Sequence, residues 1–452
     1  MQEIPIRHIQ NLSITVDVFD SQANYQGIQS GWFAKIVKEK FNMELNIIAP
    51  NVAGGGDTLF QTRSAAGDLG DLIITGANNG RLQNLVEAGL VMDMTEYLAN
   101  AENVHRYDAA IEKTAELVEQ DGIYAIPSEV SSNSPTTSSE GLEPNYGAYI
   151  RWDAYKAAGY PEINTLEDLL PALKAMQAAY NTDAHKAEGK GFMLAPIADE
   201  TIFSYGCQIN GNPNNCIMIG SKAEDPQRLA DFIDWLYSPE GVMASCAQTA
   251  SSCGPEGLTW EMQDGQPVLT DFGKQALYGE AVNVPDEWGG GTWKDGVSAL
   301  NYKAVNQLDS NPDTGICYDY TTWDSVLAGK TDPLTTDWQE KMGAQTTMEY
   351  LNSKGQILVA PGSAYVVPEE DSQITTLRGQ CKASIVEYSW KMVFAADENE
   401  FNSLLLKCRR QYRVLIIRPY LTTIWTVQRL RMMPEKQLWQ NMNHRIISKN
   451  SN

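Results

Sequence analysis

The sequence predicts an α/β protein whose parallel strands are joined by helices, and three patterns near its start indicate this fold class. Apolar and polar residues alternate over 14–18 and again over 43–47, with the period of two expected of strands. A helix between them carries its apolar residues on one face: Phe33, Ile36, Val37 and Phe41. A second helix from Asp57 precedes a short apolar strand at 71–76. Strands and helices that alternate through short links indicate parallel strands with crossover helices.

Two helices later in the chain begin with recognisable caps. Thr165 and Asp168 form the capping-box pattern, in which each side chain accepts from the other residue's backbone. Asp225 followed by Pro226 is a cap with a first-turn proline, and this second helix is predicted to end at residues 238–239, a Ser-Pro pair.

A segment over 128–146 is expected to cross between two lobes. It is rich in Ser, Thr, Pro and Gly, which is typical of a connection rather than of a helix or strand. Late strands are predicted over 357–359 and 365–367, and we expect them to return to the first lobe.

Composition and charge exclude several classes of protein. Asp and Glu number 57 against 34 Lys and Arg, a formal net charge of −23, whereas nucleic-acid binders carry a basic surface. No apolar run reaches the ~18 residues that a membrane-spanning helix needs. The first residues lack a basic stretch followed by an apolar run, so no signal peptide is expected in the chain as it stands.

The last part of the chain, 407–452, has an atypical composition. It contains ten Lys and Arg against one acid, Glu435, and has neither Gly nor Asp. A basic arm for nucleic acid or anionic lipid is one interpretation. Out-of-frame translation is the interpretation that we favour, because the composition changes so abruptly. We therefore expect this tail to lie outside the fold and assign it no function.

Catalytic motifs are missing from the sequence. The three glycines at 54–56 follow a strand but lack the Gly-Lys-Ser/Thr ending of a phosphate-binding loop. There is no Gly-x-Ser-x-Gly or His-Glu-x-x-His motif, and only four histidines are present. No catalytic residue, cofactor or metal site is predicted, although a glycosidase pair of carboxylates remains open among so many acids.

Asp309, Asn311 and Asp313 alternate like the start of a calcium loop. The glycine falls one position late, at Gly315, and the twelfth position is Tyr320 rather than Glu. An Asx turn is therefore the favoured interpretation.

Four of the seven cysteines could close two short loops. Cys207 and Cys216 flank a turn-rich octapeptide, and Cys246 and Cys253 bracket a Ser/Thr/Ala stretch. Two disulfides would indicate an oxidising compartment. Buried free thiols are the alternative.

Trp288 and Trp293 flank the residues Gly-Gly-Gly-Thr and so place two indoles on one loop. Aromatic rings in polar loops can stack on the apolar faces of sugar rings, and nearby Asp, Asn and Gln can bind the hydroxyl groups. The loop predicts a carbohydrate cleft, with burial in the core as the alternative for each tryptophan.

Several motifs, taken in order, resemble the extracellular solute-binding proteins of bacterial ABC importers, in the sugar-binding family 1 and its large lipoprotein subgroup. The segment 219–226, Ile-Gly-Ser-Lys-Ala-Glu-Asp-Pro, which leads to Phe-Ile-Asp-Trp-Leu-Tyr-Ser-Pro-Glu-Gly at 232–241, is the most specific. The other matching segments are 14–20, 68–74, 121–127 and 149–159. The resemblance covers residues 12–406.

The resemblance implies the two-lobe periplasmic-binding-protein (Venus flytrap) architecture and a binding protein rather than an enzyme. Such a protein captures a carbohydrate, here expected to be an oligosaccharide, between its lobes and delivers it to a membrane permease. It implies a monomeric, extracytoplasmic lipoprotein without a cofactor. A secreted carbohydrate-active enzyme, or a surface carbohydrate-binding protein without a transport role, is the alternative, and peptides or other polar solutes remain possible ligands.

Family positions also indicate ligand-binding residues. Gln22, Asn24 and Tyr25 follow the first strand, and Asn78 and Asn79 follow the strand at 71–76. Trp288 and Trp293 are added on the physical argument above.

The chain departs from the family in ways that affect its predicted domains. The first lobe is assigned to 12–127 and about 350–406, and the second to 147–349. An internal deletion near 177–187 is expected to shorten the second lobe, because relatives carry much of that lobe there.

Overall fold

A computed structural model of the protein describes residues 10–20, 22–50, 57–179, 189–249, 252–279, 281–360 and 372–414. The chain divides into two compact units. The first is Met1–Ala77 with Leu82–Gly362, and the second is Asn78–Arg81 with Ser363–Asn452.

The strands lie in the first unit. They are β1 (Leu12–Val18), β2 (Gly27–Ile28), β3 (Met43–Ile48), β4 (Leu72–Thr75), β5 (Ile126–Ser128), β6 (Tyr149–Arg151), β7 (Phe192–Leu194), β8 (Ile202–Tyr205), β9 (Asn212–Ile219), β10 (Trp260–Gln263), β11 (Gln266–Leu269) and β12 (Ile357–Ala360).

The α-helices, in chain order, are α1 (Gly31–Phe41), α2 (Asp57–Ala66), α3 (Arg81–Glu87), α4 (Thr95–Leu98), α5 (Asp108–Ala115), α6 (Trp152–Ala157), α7 (Leu169–Ala179), α8 (Pro226–Tyr237), α9 (Pro239–Ser245), α10 (Asp271–Leu277), α11 (Asp324–Leu327), α12 (Pro333–Met342), α13 (Thr347–Ser353), α14 (Ser372–Val393) and α15 (Glu398–Val414).

A six-stranded sheet with the order β2-β3-β1-β4-β9-β5 organises the first unit. Strands β3, β1 and β4 are parallel, which confirms the strands and crossover helices predicted near the start of the chain. Strand β9 is antiparallel to both β4 and β5, so β5 runs in the same direction as β1 and β4. The carboxyl ends of β1, β4 and β5 therefore share one edge of the sheet.

The sheet is buried on both faces, because β4 and β9 send alternate side chains to two apolar clusters. Ile74 and Ile217 pack in a large cluster, which we call the first core, whereas Ile73 and Met218 pack in a smaller cluster. Burial on both faces accounts for the continuous apolar runs in these two strands. The first core also contains the inward faces of α1 and α8.

A second core, separate from the first, lies under two small sheets. Strands β6 and β7 pair antiparallel, and β8 pairs parallel with β12. Its largest buried side chains are Trp152 and Trp338. The indole N–H of Trp152 donates to Asp337 at 2.7 Å, and so does the hydroxyl of Tyr160 at 2.8 Å.

The two cores do not contain the same residues as the two lobes predicted from the sequence. The bounds of the lobes stay a prediction. Residues of β9 and α8 were assigned to the second lobe but pack in the first core. Strand β12 was expected to return to the first lobe but lies beside β8. Local patterns do not reveal these pairings, because the partner of each strand is distant in sequence.

The segment 128–146, which was predicted to cross between two lobes, passes from the first core to the second. Near its start, the N–H of Val130 donates to the carbonyl of Ala304 at 3.1 Å. Near its middle, Ser138 forms a bridge with Gly206, directly after β8. We call 128–146 the crossing segment.

In the second unit, α14 and α15 are the described helices of 372–414. Residues 407–414 continue α15, and the rest of the atypical tail lies outside the described residues. The predicted strand at 365–367 and most of the predicted deletion near 177–187 also lie outside them. Across the described part of the chain, no helix has both the length and the apolar character that a bilayer crossing requires.

The predicted caps are confirmed. Thr165 and Asp168 form a reciprocal capping box, and Asp225 accepts from the N–H of Arg228 at 3.1 Å. The second carboxylate oxygen of Asp225 also lies 2.9 Å from the Arg228 guanidinium, which is almost fully buried.

We predict that Asp225→Ala lowers the free energy of unfolding by about 2 kcal/mol, because it removes a cap and leaves a buried guanidinium without its carboxylate. Urea unfolding measures the change. The neighbouring Glu224→Ala, which removes an exposed carboxylate, is the control and should change stability by less than about 0.5 kcal/mol. Equal effects of the two substitutions would contradict this account of the helix start.

Candidate functional site

A pocket of about 620 Å³ lies between the two cores of the first unit. Its walls come from the crossing segment, from the end of β8 and from the loops after residue 303. The lining residues are Glu129, Ser139, Glu140, Gly141, Leu142, Glu143, Asn145, Tyr205, Gln208, Lys303, Asn306, Gln307, Asp319, Thr321 and Lys330. Glu129 directly follows β5, so the pocket opens at the carboxyl edge of the sheet, where open α/β sheets place their ligands.

Glu129 lines the pocket in a strained conformation. Its φ of 53° is in the left-handed region, which is uncommon for a residue other than glycine. Its N–H donates to the carbonyl of Lys303 at 2.7 Å, and its carboxylate lies 3.4 Å from the Lys303 ammonium. Such strain concentrates at functional sites and persists where surrounding contacts enforce it.

Glu140 joins the crossing segment to β8. Its side chain is buried, and its two carboxylate oxygens accept from Asn145 Nδ2 at 2.8 Å and from Ser204 Oγ at 3.0 Å. Ser204 also lies 2.6 Å from the hydroxyl of Ser138. This network holds a carboxylate in place at the pocket wall, with lone pairs left for further donors.

Asp319 and Asn306 are the most buried polar side chains on the other wall, at 7% and 4% exposure. Asp319 Oδ1 accepts from the N–H of Thr321 at 3.0 Å and from its hydroxyl at 2.6 Å. Burial raises the pKa of Asp319, against the opposing effect of these hydrogen bonds and of the Lys330 and Lys303 charges. Asn306 Oδ1 accepts from the N–H of Leu308 at 2.9 Å.

Tyr205 provides an aromatic surface to the pocket. It is 50% exposed, because β8 buries Ile202 and Ser204 on one face and presents Phe203 and Tyr205 on the other. The Tyr205 ring meets that of Phe203 edge to face, with centroids 4.9 Å apart. The two rings form an exposed aromatic surface that begins at the pocket.

Asp309 fastens the crossing segment beside this pocket. Its buried carboxylate accepts from the hydroxyl of Ser131, from the N–H of Ser132 at 2.7 Å and from Asn133 Nδ2 at 3.0 Å. The predicted Asx turn is confirmed further on, since the N–H of Asp313 donates to Asn311 Oδ1 at 2.9 Å. No group of three or more metal-ligating side chains occurs among the residues that the structure describes.

The predicted ligand residues after β1 and β4 do not line this pocket. Gln22 and Asn24 are exposed on the loop after β1, where the Tyr25 hydroxyl donates to the carbonyl of Ile28. Asn78 and Asn79 lie in the turn after β4, which ends at Thr75, and belong to the second unit. Their role in binding stays a prediction.

The prediction for Trp293 is contradicted by its burial. Only 5% of the residue is exposed, and its ring stacks on that of Trp32, with centroids 4.7 Å apart and planes 7° from parallel. Phe272 contacts the same indole edge to face. Trp293 is thus a core residue. Trp288 is half-buried against the first core and does not line the pocket.

The predicted disulfides are absent, since Cys207, Cys216, Cys246 and Cys253 are all free and buried. Cys207 Sγ donates to the carbonyl of Ser138 at 3.6 Å, whereas Cys216 packs in the smaller cluster of the sheet. Burial raises the pKa of Cys216 to about 12, so this thiol is an inert core residue.

Sequence reasoning missed the residues that line the pocket. One signal could have found part of them: a segment that crosses between two lobes also borders the cleft, which points to Glu140 and its neighbours. Asn306 and Asp319 carry no such signal, because the loops around them lack a periodic pattern.

We predict that Trp293→Ala lowers the free energy of unfolding by about 3–5 kcal/mol, since it removes a stacked core indole. Trp288→Ala is the matched control and should cost about half as much or less, because that ring is only half-buried. Urea unfolding of both variants tests the assignment. A small cost for Trp293→Ala would return this indole to the list of candidate ligand residues.

No family model matches the chain, and no curated protein matches its sequence. Solved structures do resemble it. An alginate-binding protein, AlgQ2, determined without calcium ion, is 13% identical with a TM-score of 0.50, over 93% of this chain and 98% of that one. A solute-binding protein associated with an HMO-binding ABC transporter, from Bifidobacterium longum infantis, is 11% identical with a TM-score of 0.50, over 94% and 100%.

A third similar structure is the ABC-transporter substrate-binding protein FusA of S. pneumoniae, an EF-hand mutant in complex with fructo-nystose. It is 12% identical with a TM-score of 0.50, over 95% of this chain and 100% of that one. Likeness over nearly the whole of these chains confirms the predicted fold class, the α/β two-lobe fold of periplasmic binding proteins.

Proposed function

We propose that the protein is the substrate-binding component of an ABC importer and captures a carbohydrate, expected to be an oligosaccharide, in the pocket between its two cores. The observation that carries this proposal is the pocket itself. It combines fixed polar groups with an exposed aromatic ring, at the sheet edge where this fold class binds ligands. Its volume of about 620 Å³ is in the range of small-molecule sites.

The names of the similar structures support the carbohydrate part of the proposal. They describe proteins that bind alginate, HMO and fructo-nystose. The chemistry of the pocket agrees with a ligand rich in hydroxyl groups. Carboxylates of Glu140 and Asp319 can accept from sugar hydroxyls, and the Tyr205 ring can stack on the apolar face of a sugar.

The proposed mechanism is capture without chemistry. A ligand that contacts groups on both cores binds the closed form better than the open form, so it shifts the population towards the closed form. A permease that recognises the closed form would then receive the sugar. Glu140 is suited to this role, because it bonds Asn145 in the crossing segment and Ser204 in β8.

We propose that the lobes that close are built on the two cores. One holds residues 12–127 with 212–326, and the other holds 147–206 with 333–360. This division moves 212–326 from the second predicted lobe to the first. An extracytoplasmic location, a lipid anchor and a monomeric state belong to the same proposal.

Thermal unfolding with a panel of mono- and oligosaccharides tests the proposal. A saccharide at about 100 times its Kd should raise the free energy of unfolding by about 2.7 kcal/mol. Chromatography of the mixture should recover the saccharide intact. Stabilisation together with hydrolysis would instead indicate a carbohydrate-active enzyme, and a panel without effect would contradict carbohydrate capture.

We predict that Tyr205→Ala weakens binding of the stabilising saccharide about fivefold to tenfold, because it removes an aromatic stacking surface. Isothermal titration calorimetry measures the Kd. Tyr278→Ala is the matched control, because Tyr278 is similarly exposed but lies outside the pocket. Equal Kd values for the two variants would exclude Tyr205 from the binding surface.

A further inference from the structure

The lining of the pocket has an excess of negative charge. Four carboxylates face two ammonium groups: Glu129, Glu140, Glu143 and Asp319 against Lys303 and Lys330. This excess of negative charge affects the affinity for charged sugars, because charges inside a partly enclosed pocket are less screened by salt than exposed charges.

Each lysine already acts on carboxylates of the lining, which leaves two carboxylates in excess. The Lys303 ammonium is already engaged by the carboxylate of Glu129 at 3.4 Å and by Gln307 Oε1 at 3.4 Å. Lys330 is exposed, and its charge acts on Asp319. A negatively charged ligand would therefore meet a lining with a net negative charge, to which Glu140 and Asp319 contribute.

One oxygen of Asp319 is available to a ligand. The side chain is more than nine-tenths buried, and both of its hydrogen bonds, from the N–H and the hydroxyl of Thr321, go to Oδ1. No described residue donates to Oδ2, although Asp319 lines the pocket. Oδ2 keeps contact with the solvent of the pocket, where a hydroxyl or an ammonium of a bound group can donate to it.

We infer that the pocket is selective for saccharides without an anionic group, and that Asp319 Oδ2 accepts from a hydroxyl or an ammonium of the bound sugar. A uronate would place its carboxylate against Asp319 and Glu140, whereas an amino sugar would add a charge-assisted hydrogen bond. The inference rests on the proposed function and adds the charge class of the ligand to it.

The test compares four tetrasaccharides by isothermal titration calorimetry at low ionic strength. Galactotetraose and tetragalacturonate form a neutral and anionic pair. Chitotetraose and its fully deacetylated counterpart form a neutral and cationic pair. We expect the anionic member to bind at least about tenfold more weakly than its neutral partner, and the cationic member about tenfold more tightly than its own, since Coulomb energies in a partly enclosed site are of this order.

The variant Asp319→Asn tests whether this charge selectivity depends on Asp319. Asn can keep the acceptor for Thr321 at Oδ1 while a donor replaces Oδ2, so we expect the cationic preference to fall about tenfold with an unchanged melting temperature. Asp313→Asn removes the same charge from an exposed position outside the lining and should preserve the preference.

Tight binding of tetragalacturonate would overturn the selectivity while leaving carbohydrate capture in place. An undiminished cationic preference in Asp319→Asn would overturn the role of Oδ2. If none of the four saccharides binds, the proposed function is contradicted as well as the inference.

Discussion

The attachment of the crossing segment to Asp309 is the interaction on which the pocket depends. A buried carboxylate requires donors, and Ser131, Ser132 and Asn133 supply them from consecutive positions of the segment. The segment is thereby fixed as it leaves the first core. The pocket walls formed by residues 139–145 follow a few positions later, so their place is set by this attachment and by the bonds of Glu140 to Ser204 and Asn145.

A polar pocket between two apolar cores is a physical arrangement suited to reversible capture. Each core is stabilised by its own buried side chains, so the polar groups between them contribute to ligand binding more than to folding. Burial raises the pKa of Asp319 in this arrangement. A carboxylate kept from water is stable as an anion only when hydrogen-bond donors replace the water. In the proposed function, the hydroxyl groups of a sugar would supply these donors.

The part of the fold that was predictable from the sequence is the part that local patterns encode. The alternation in β1 and β3, the apolar face of α1 and the caps at Thr165 and Asp225 each depend on residues within one or two helical turns. Strand β9 was missed because its partners, β4 and β5, are far away in sequence, and pairing over such separations leaves no local pattern.

The candidate site was predicted less well for a related reason. An aromatic residue beside a glycine-rich stretch has the same local pattern whether it lines a cleft or fills a core. Trp293 fills the core because Trp32, on a distant helix, stacks on it. Glu140, Asn306 and Asp319 come together only because three separate segments meet at one pocket.

A crystal structure of the protein with the saccharide that stabilises it most would show where the sugar binds. We expect electron density for the sugar in the pocket, with hydroxyl groups within hydrogen-bond distance of Glu140 and Asp319 and a sugar ring against Tyr205. Density elsewhere, such as at the loop that carries Gln22 and Tyr25 with the pocket empty, would contradict this expectation.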